Sequence, residues 1–520
     1  MNRDNYDNYK YGRYISSDDE SRWADPEELK NASTLMRIDV TGDSCRGCGL
    51  PIICDGRIAY VDNSDTHTMV IGATGSKKTR LFGMSLINIF ALAGESFIAT
   101  DPKGELYQKT SGLVADRGYN IITLNLRDFC RSSHWNPLKL IYDTYHSGVI
   151  DEAISLMNDF ITSISEPFRK GAKDPYWIEM GRNFALPTLQ FFIDTAKPDE
   201  ANIYNFAKFF AAKSTSDETE KLAKYIAEGS VAYIYLMLIL TNKEAKSTFG
   251  NIASEVSAML SPFILQKTLS QVLSRSSFDI RSPGKEKTGI YIIVPDEKTS
   301  LHFLISTFIK QIYEVLINDA QQQDDNKLPL RVNFLLDEFA NIPTITDFHT
   351  MISASRSRNM RFYLLIQGMH QLKQKYEDDA ETIKGNCENI VFLNSREYGL
   401  LEEISKLCGT ISYYDINGNI RQRPLISVSE LQRLKKEKGE ALILHGRHYP
   451  FVSTLPDIDD YMFKTYPPAE SECAGLPEIV PYNADAVFAE IRNRERHLPF
   501  SPEVFGEETF YEESDTNLDW

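Results

Sequence analysis

Apolar residues in this chain gather in short unbroken runs: Phe97 to Thr100, Ile121 to Leu124, Ile290 to Val294, Val332 to Leu336, Phe362 to Ile366, Ile390 to Leu393 and Ala441 to Leu444. Runs of strand length without a polar face predict strands covered on both sides, the pattern of a mostly parallel sheet between helices. The segment from 50 to 72 reads as short strands, the last being His67-Thr68-Met69-Val70-Ile71, which leads straight into a glycine-rich loop. From about 148 to 283 the strand signals stop. Apolar residues there keep helical spacing, as in Ile150, Ile154, Met157 and Ile161. A structureless loop of that length is rare inside a compact domain, so the stretch predicts an all-helical insertion. A further helix, about 299–320, follows the returning strand.

The expected fold class is therefore α/β, a mostly parallel sheet interrupted by an all-α domain. The expected division is an N-terminal arm over 1–35, a first part of the nucleotide-binding domain over 36–147, and the all-α domain over 148–283. The second part of the nucleotide-binding domain spans 284–465, and a loosely attached acidic tail spans 466–520.

Composition changes this picture little. A chain of 520 residues, 42% hydrophobic and 25% charged, suits a globular protein of two to four domains. The net charge of −17 excludes a uniformly basic nucleic-acid coat but is compatible with a local basic channel. Residues 501–520 hold seven acids and no Lys or Arg. That tail reads either as a docking segment for a basic partner or as a solubilising end. The start of the given sequence is polar, so no secretory signal is expected there. The longest uncharged apolar stretch, Leu81 to Gly94, is short for a membrane span and follows the glycine loop, where a buried helix is expected. Seven scattered cysteines suit a reducing cytosol. Cys45, Cys48 and Cys54 would need a fourth ligand to hold zinc; with one Cys-x-x-Cys pair only, free thiols in a Gly-rich turn are the simpler reading.

The glycine loop carries the chemistry. Gly72-Ala73-Thr74-Gly75-Ser76-Lys77-Lys78-Thr79 lies between a strand and an apolar helix, the context of a phosphate-binding P-loop. Backbone N–H groups from Gly72 through Arg80 would cradle phosphates. Lys78 would reach the β- and γ-phosphates of ATP, and the Thr79 hydroxyl would ligate Mg²⁺. Lys77 stands where the motif has its last glycine. A lysine there is strained if the backbone is left-handed, or it offers a second cation to the phosphates. The strand Val332 to Leu336 ends in Asp337-Glu338: Asp337 would hold the Mg²⁺ shell and Glu338 would polarise the attacking water. Gln367, ending another strand, either senses the γ-phosphate or is a solvated strand end. Arg356 and Arg358 are candidate arginine fingers reaching a neighbouring subunit.

Several segments, in order, resemble the type IV coupling proteins, the TraG/TraD/TrwB-like ATPases of conjugation and type IV secretion. They are Arg22-Trp23-Ala24 with Glu27-Glu28-Leu29; the P-loop; Asp101-Pro102-Lys103-Gly104-Glu105; Trp135-Asn136-Pro137-Leu138; Asp174-Pro175-Tyr176-Trp177; Val294-Pro295-Asp296; and Leu336-Asp337-Glu338-Phe339-Ala340-Asn341. The resemblance spans roughly 20–450. It implies a RecA-like P-loop NTPase core, ATP and Mg²⁺ as cofactors, and a homo-hexameric ring with nucleotide between subunits. It also implies delivery of relaxase-bound DNA, or a protein substrate, to a secretion channel, with relaxase, accessory proteins and a membrane partner as contacts. Asp101 would then lie near the nucleotide, as an aid to the Mg²⁺ shell or as a cap on the next helix. Most members carry two N-terminal membrane helices; this sequence shows neither. The expectation is a cytoplasmic protein held peripherally at the inner face of the membrane through partners. Two alternatives stay open: an ATP-binding substrate adaptor with little hydrolysis, and a DNA pump of the FtsK/HerA type.

Overall fold

The structure is a computed structural model. It describes residues 14–15, 20–169, 174–226, 230–241, 246–295, 301–415, 417–470 and 475–497. Asp296 and the acidic run over 501–520 lie outside the described residues.

The strands, in chain order, are β1 (Tyr14–Ile15), β2 (Leu35–Asp39), β3 (Pro51–Cys54), β4 (Ile58–Asp62), β5 (Thr68–Gly72), β6 (Ser96–Asp101), β7 (Asn120–Asn125), β8 (Thr288–Ile293), β9 (Val332–Leu336), β10 (Met360–Ile366), β11 (Asn389–Asn394), β12 (Thr410–Tyr414), β13 (Ile420–Pro424), β14 (Glu440–His445) and β15 (Phe451–Thr454). Nine of them form the central sheet, in the order β15-β14-β11-β5-β10-β9-β6-β8-β7. From β11 to β7 every pairing is parallel. The strands β5, β6, β8, β9 and β10 are buried at every position, because their unbroken apolar runs suit two covered faces.

The run Ala441 to Leu444 departs from the parallel expectation. It lies in β14, antiparallel to β11 and to β15. A continuous apolar run shows that both faces are covered; strand direction depends on the connection, and β14 reaches β15 through a short turn that only an antiparallel pair allows. Two smaller sheets flank the large one, β2-β4-β3 and β1-β12-β13.

Helices cover both faces of the sheet. α1 (Met84–Ala93) follows the glycine loop, with every position from Met84 to Leu92 buried. α2 (Glu105–Asp116) follows β6. Between β7 and β8 the described chain is helical, its longest members being α3 (Ile150–Arg169), α4 (Tyr176–Thr195) and α5 (Lys246–Leu265). α6 (Phe303–Gln321) returns across the sheet, and Trp135 meets its Phe308 edge-on at 5.1 Å between ring centroids. Phe184 sits between Phe210 and Phe249, which ties the helices of this layer together.

The described residues beyond 465 make specific contacts with the rest of the chain. The Tyr107 hydroxyl donates to the Ala469 carbonyl at 2.9 Å, Gln271 donates to the Pro477 carbonyl, and Phe488 stacks on Phe191. Tyr107 of α2 holds the backbone of this stretch, and its own Tyr482 and Phe488 pack on the helical layer; average composition conceals such isolated anchors.

Candidate functional site

Parallel strands present their carboxyl ends on one edge, and in open α/β sheets that edge is where ligands bind. Here the carboxyl ends of β5, β10, β9 and β6 bring together the glycine loop, Gln367, Asp337-Glu338 and Asp101. The two halves of the predicted site lie 258 residues apart in sequence and meet directly: the Thr79 hydroxyl donates to Asp337 Oδ2 at 2.7 Å. Thr100, at the end of β6, donates to the Asp337 carbonyl at 2.9 Å and fixes the end of β9.

Lys78 is buried; its ammonium donates to the Gly72 carbonyl at 2.7 Å and lies 3.6 Å from Glu338 Oε1. Gln367 joins the two halves: its Nε2 donates to Glu338 Oε2 at 2.8 Å, and its Oε1 accepts from the Thr74 hydroxyl at 3.0 Å. Gln367 therefore touches both the loop and the acid. The Ala73 N–H donates to Asn394 at the end of β11, so the loop is braced from its other side as well. Nothing in the local sequence around Asn394 marks this contact, because it depends on β11 lying beside β5. A broad cavity of about 870 Å³ opens over Ala73, Thr74, Gln367, Asn394, Arg396 and Gln432.

The electrostatics follow burial. Burial pushes the Asp337 carboxyl up to about 6, against the pull of the Thr79 hydroxyl. Burial likewise pushes Asp101 up to about 6, although the Tyr107 N–H donates to its Oδ2 at 2.8 Å. That bond makes Asp101 a clamp on the first turn of α2, the capping alternative. The Thr79 hydroxyl and Asp337 carboxylate form the oxygen-rich pair that a hard divalent cation requires, and the Ser76 hydroxyl is buried in the loop without a protein partner.

The loop is strained where the sequence suggested. Lys77 has φ of 70° and Gly75 has φ of 76°. Glycine adopts this left-handed backbone freely, whereas a residue with a Cβ is strained by about 1–2 kcal/mol. The Lys77 side chain runs to Asp457, with Nζ 3.1 Å from Oδ2. Arg80 reaches the same acid, its Nε donating to Asp457 Oδ1 at 2.8 Å, and also pairs with Asp459. The side chains of Lys77 and Arg80 are therefore engaged by the segment after β15. After Lys78 the chain enters a π-helical turn, Thr79–Gly83, before α1 begins, a widening often found at functional sites. Glu338 also has left-handed backbone, φ 53°.

Arg356 and Arg358 are not brought to this cluster within one chain. They precede β10, whereas Gln367 follows it, and the strand separates Arg358 from Gln367 by roughly 30 Å. Arg356 pairs with Glu388 at 3.2 Å. Cys45 is half-buried and Cys48 and Cys54 are buried; burial pushes the Cys45 thiol up to about 11. Among the described residues no group of three or more His, Cys, Asp or Glu side chains is placed to hold a metal ion.

These features define a P-loop NTPase core of the RecA-like kind. The family model for type IV secretory system conjugative DNA transfer matches residues 22–445, and the chain belongs to that family. It is 24% identical over 509 residues to the protein VirD4 of Rhizobium radiobacter, covering 91% of this chain and 69% of that one. To VirD4 of Rhizobium rhizogenes it is 23% identical over 487 residues, covering 88% and 68%. The fold is similar to that of the plasmid coupling protein TrwB in complex with the non-hydrolysable ATP analogue ADPNP, with a TM-score of 0.63 at 17% identity over 89% of this chain and 98% of that one. TrwB in complex with ADP and Mg²⁺ gives 0.60 at 16% identity, covering 90% and 97%. Among the described residues no helix is long and apolar enough to cross a membrane.

Proposed function

We propose that this chain is an ATP-driven coupling protein that recruits relaxase-bound DNA, or a protein substrate, and delivers it to a type IV secretion channel. The observation that carries the reading is the Thr79–Asp337 contact, a P-loop joined to its acidic strand end, inside a chain that belongs to the conjugative DNA transfer family. In this reading the loop N–H groups and Lys78 bind the phosphates, Thr79 and Asp337 hold Mg²⁺, and Glu338 takes the proton of the attacking water. Mg²⁺ held by Thr79 and Asp337 would supply neutralisation of the charge that develops on the phosphates. Gln367 orients Glu338 and reports occupancy of the loop through Thr74. Arg356 and Arg358 act only across a subunit boundary, which fits a homo-hexameric ring with nucleotide between neighbours. The helices over 148–283 form an all-α domain inserted in a motor built from 36–147 and 284–465. The protein works at the inner face of the membrane through partners.

DNA-stimulated phosphate release by the purified chain tests the reading. Turnover in wild type and none in Lys78→Ala is the expected result; equal rates in both would sink it. Lysine at position 77, where the motif has its last glycine, favours a second reading, a nucleotide-gated adaptor with little hydrolysis. A large rate gain in Lys77→Gly supports the adaptor, and an unchanged or lower rate supports the motor.

A further inference from the structure

The segment after β15 has no assigned part in the nucleotide site, yet it is built to hold one position beside the phosphate loop. Leu455 is buried, and its N–H donates to the Gly439 carbonyl at 3.0 Å. The Asp460 N–H closes a turn on the Asp457 carbonyl at 2.8 Å, Tyr461 is buried, and the Met462 N–H donates to the Gly56 carbonyl. Asp457 therefore projects from a turn anchored on both sides. Its side chain is 14% exposed and receives both Lys77 and Arg80. Burial alone would raise the Asp457 carboxyl, but Arg80 and Lys77 hold it down at about 2, so it is charged throughout the physiological range.

A non-glycine residue at φ 70° persists only where its surroundings over-determine it. The Lys77 carbonyl accepts from the Leu81 N–H at 2.8 Å, so the backbone of Lys77 is also the start of the helix behind the loop. Relaxation of Lys77 to a right-handed backbone would turn the N–H groups on either side of it and misalign the phosphate cradle. A tether on its ammonium resists that rotation.

We propose that Asp457 is a positioning residue for the phosphate loop: by capturing the Lys77 ammonium it holds Lys77 in the left-handed backbone that the motif otherwise assigns to glycine, and it directs that ammonium away from the phosphates. The loop thus keeps its shape through an ion pair supplied some 380 residues further along the chain. Lys78 is left as the lysine that serves the nucleotide. This rests on the reading of the loop as a nucleotide site.

The test is titration of the full-length chain with a fluorescent ATP analogue and Mg²⁺, with thermal unfolding recorded for each variant. Asp457→Asn is expected to weaken binding about tenfold, the equivalent of releasing the strain at one residue. In the Lys77→Gly background the same substitution is expected to change binding by no more than about twofold, because glycine holds φ near 70° unaided. Asp457→Glu, which keeps the charge, should recover most of the affinity. Asp459→Asn touches Arg80 but not Lys77, and its smaller effect should be the same in both backgrounds. If Asp457→Asn does not fold, Lys77→Ala reads the same strain: it should lose about tenfold while Lys77→Gly does not. Equal losses for Asp457→Asn in the wild-type chain and in the Lys77→Gly background, or equal binding by Lys77→Ala and Lys77→Gly, would overturn the proposal. Undiminished binding in Lys78→Ala would instead overturn the nucleotide reading itself.

Discussion

The two ends of the nine-stranded sheet both bury charge, and they treat it in opposite ways. At the amino end, Arg361 of β10 is 1% exposed and its donors are matched: Nε to Asn333 Oδ1 at 2.9 Å, one terminal nitrogen to the Cys48 and Ser64 carbonyls, the other to Glu95 Oε2 at 2.6 Å. Asn333 and Arg331 close the ring around Glu95. Two of these acceptors lie in the segments beside β3 and β4, so the network fastens the small β2-β4-β3 sheet to the large one. At the carboxyl end, Asp337 and Asp101 are buried with their carboxyls pushed up to about 6, and Lys77 and Glu338 sit in left-handed backbone. The saturated end serves stability. The strained end is left with binding capacity that a phosphate and a divalent cation can use.

If this contrast is right, substitutions at the two ends should separate stability from binding. The largest effect is expected at the amino end. Arg361→Ala removes the buried guanidinium shared by Glu95, Asn333 and the Cys48 and Ser64 carbonyls, leaving the half-buried Glu95 with Arg331 and Asn333 only, and should cost about 3–5 kcal/mol in urea unfolding, with little change in nucleotide affinity for the fraction that stays folded. A loss under about 1 kcal/mol would show that the network is solvated and the contrast false. Lys78→Ala should behave in the converse manner. Nucleotide affinity should fall about a hundredfold by titration while the melting temperature stays near the wild-type value. A large drop in melting temperature would mean that the carboxyl end also carries stability.

Next in size is Gln367→Ala, which frees Glu338 and Thr74 from each other. Steady-state kinetics should show kcat about tenfold lower with KM for ATP little changed. A change confined to KM would reduce Gln367 to a binding contact.

The smallest effect is a pH dependence at the amino end. His67 is buried there, with its Nδ1 accepting from the Phe362 N–H at 3.0 Å and its Nε2 donating to the Ile352 carbonyl at 2.8 Å. Burial lowers it to about 4, so it stays neutral in the folded chain while the unfolded chain protonates below about 6.5. Its contribution is complete above pH 6.5 and is lost as pH falls toward 4. Near pH 6 stability should be lower by about 1 kcal/mol than at pH 7.5, and His67→Gln should flatten that slope in denaturant melts.

How much of this was written in the sequence depends on whether a feature is local. The unbroken apolar runs gave the buried strands, because covering both faces of a strand imposes an apolar side chain at every position. The glycine loop and Asp337-Glu338 were legible as motifs, since each is contiguous and its backbone geometry dictates its residue types. Even the strain at Lys77 could be anticipated, because position in the motif sets the backbone angle. What tertiary structure alone decided is which distant residues complete these pieces. The sheet order places β10 between β5 and β9, and that alone brings Gln367 to both Thr74 and Glu338. The same order puts Arg356 and Arg358 at the far end of β10 from the loop. The antiparallel β14–β15 turn carries Asp457 to Lys77. A pattern along the chain records the environment of each residue; pairing between segments hundreds of residues apart is set by the packing of the whole sheet.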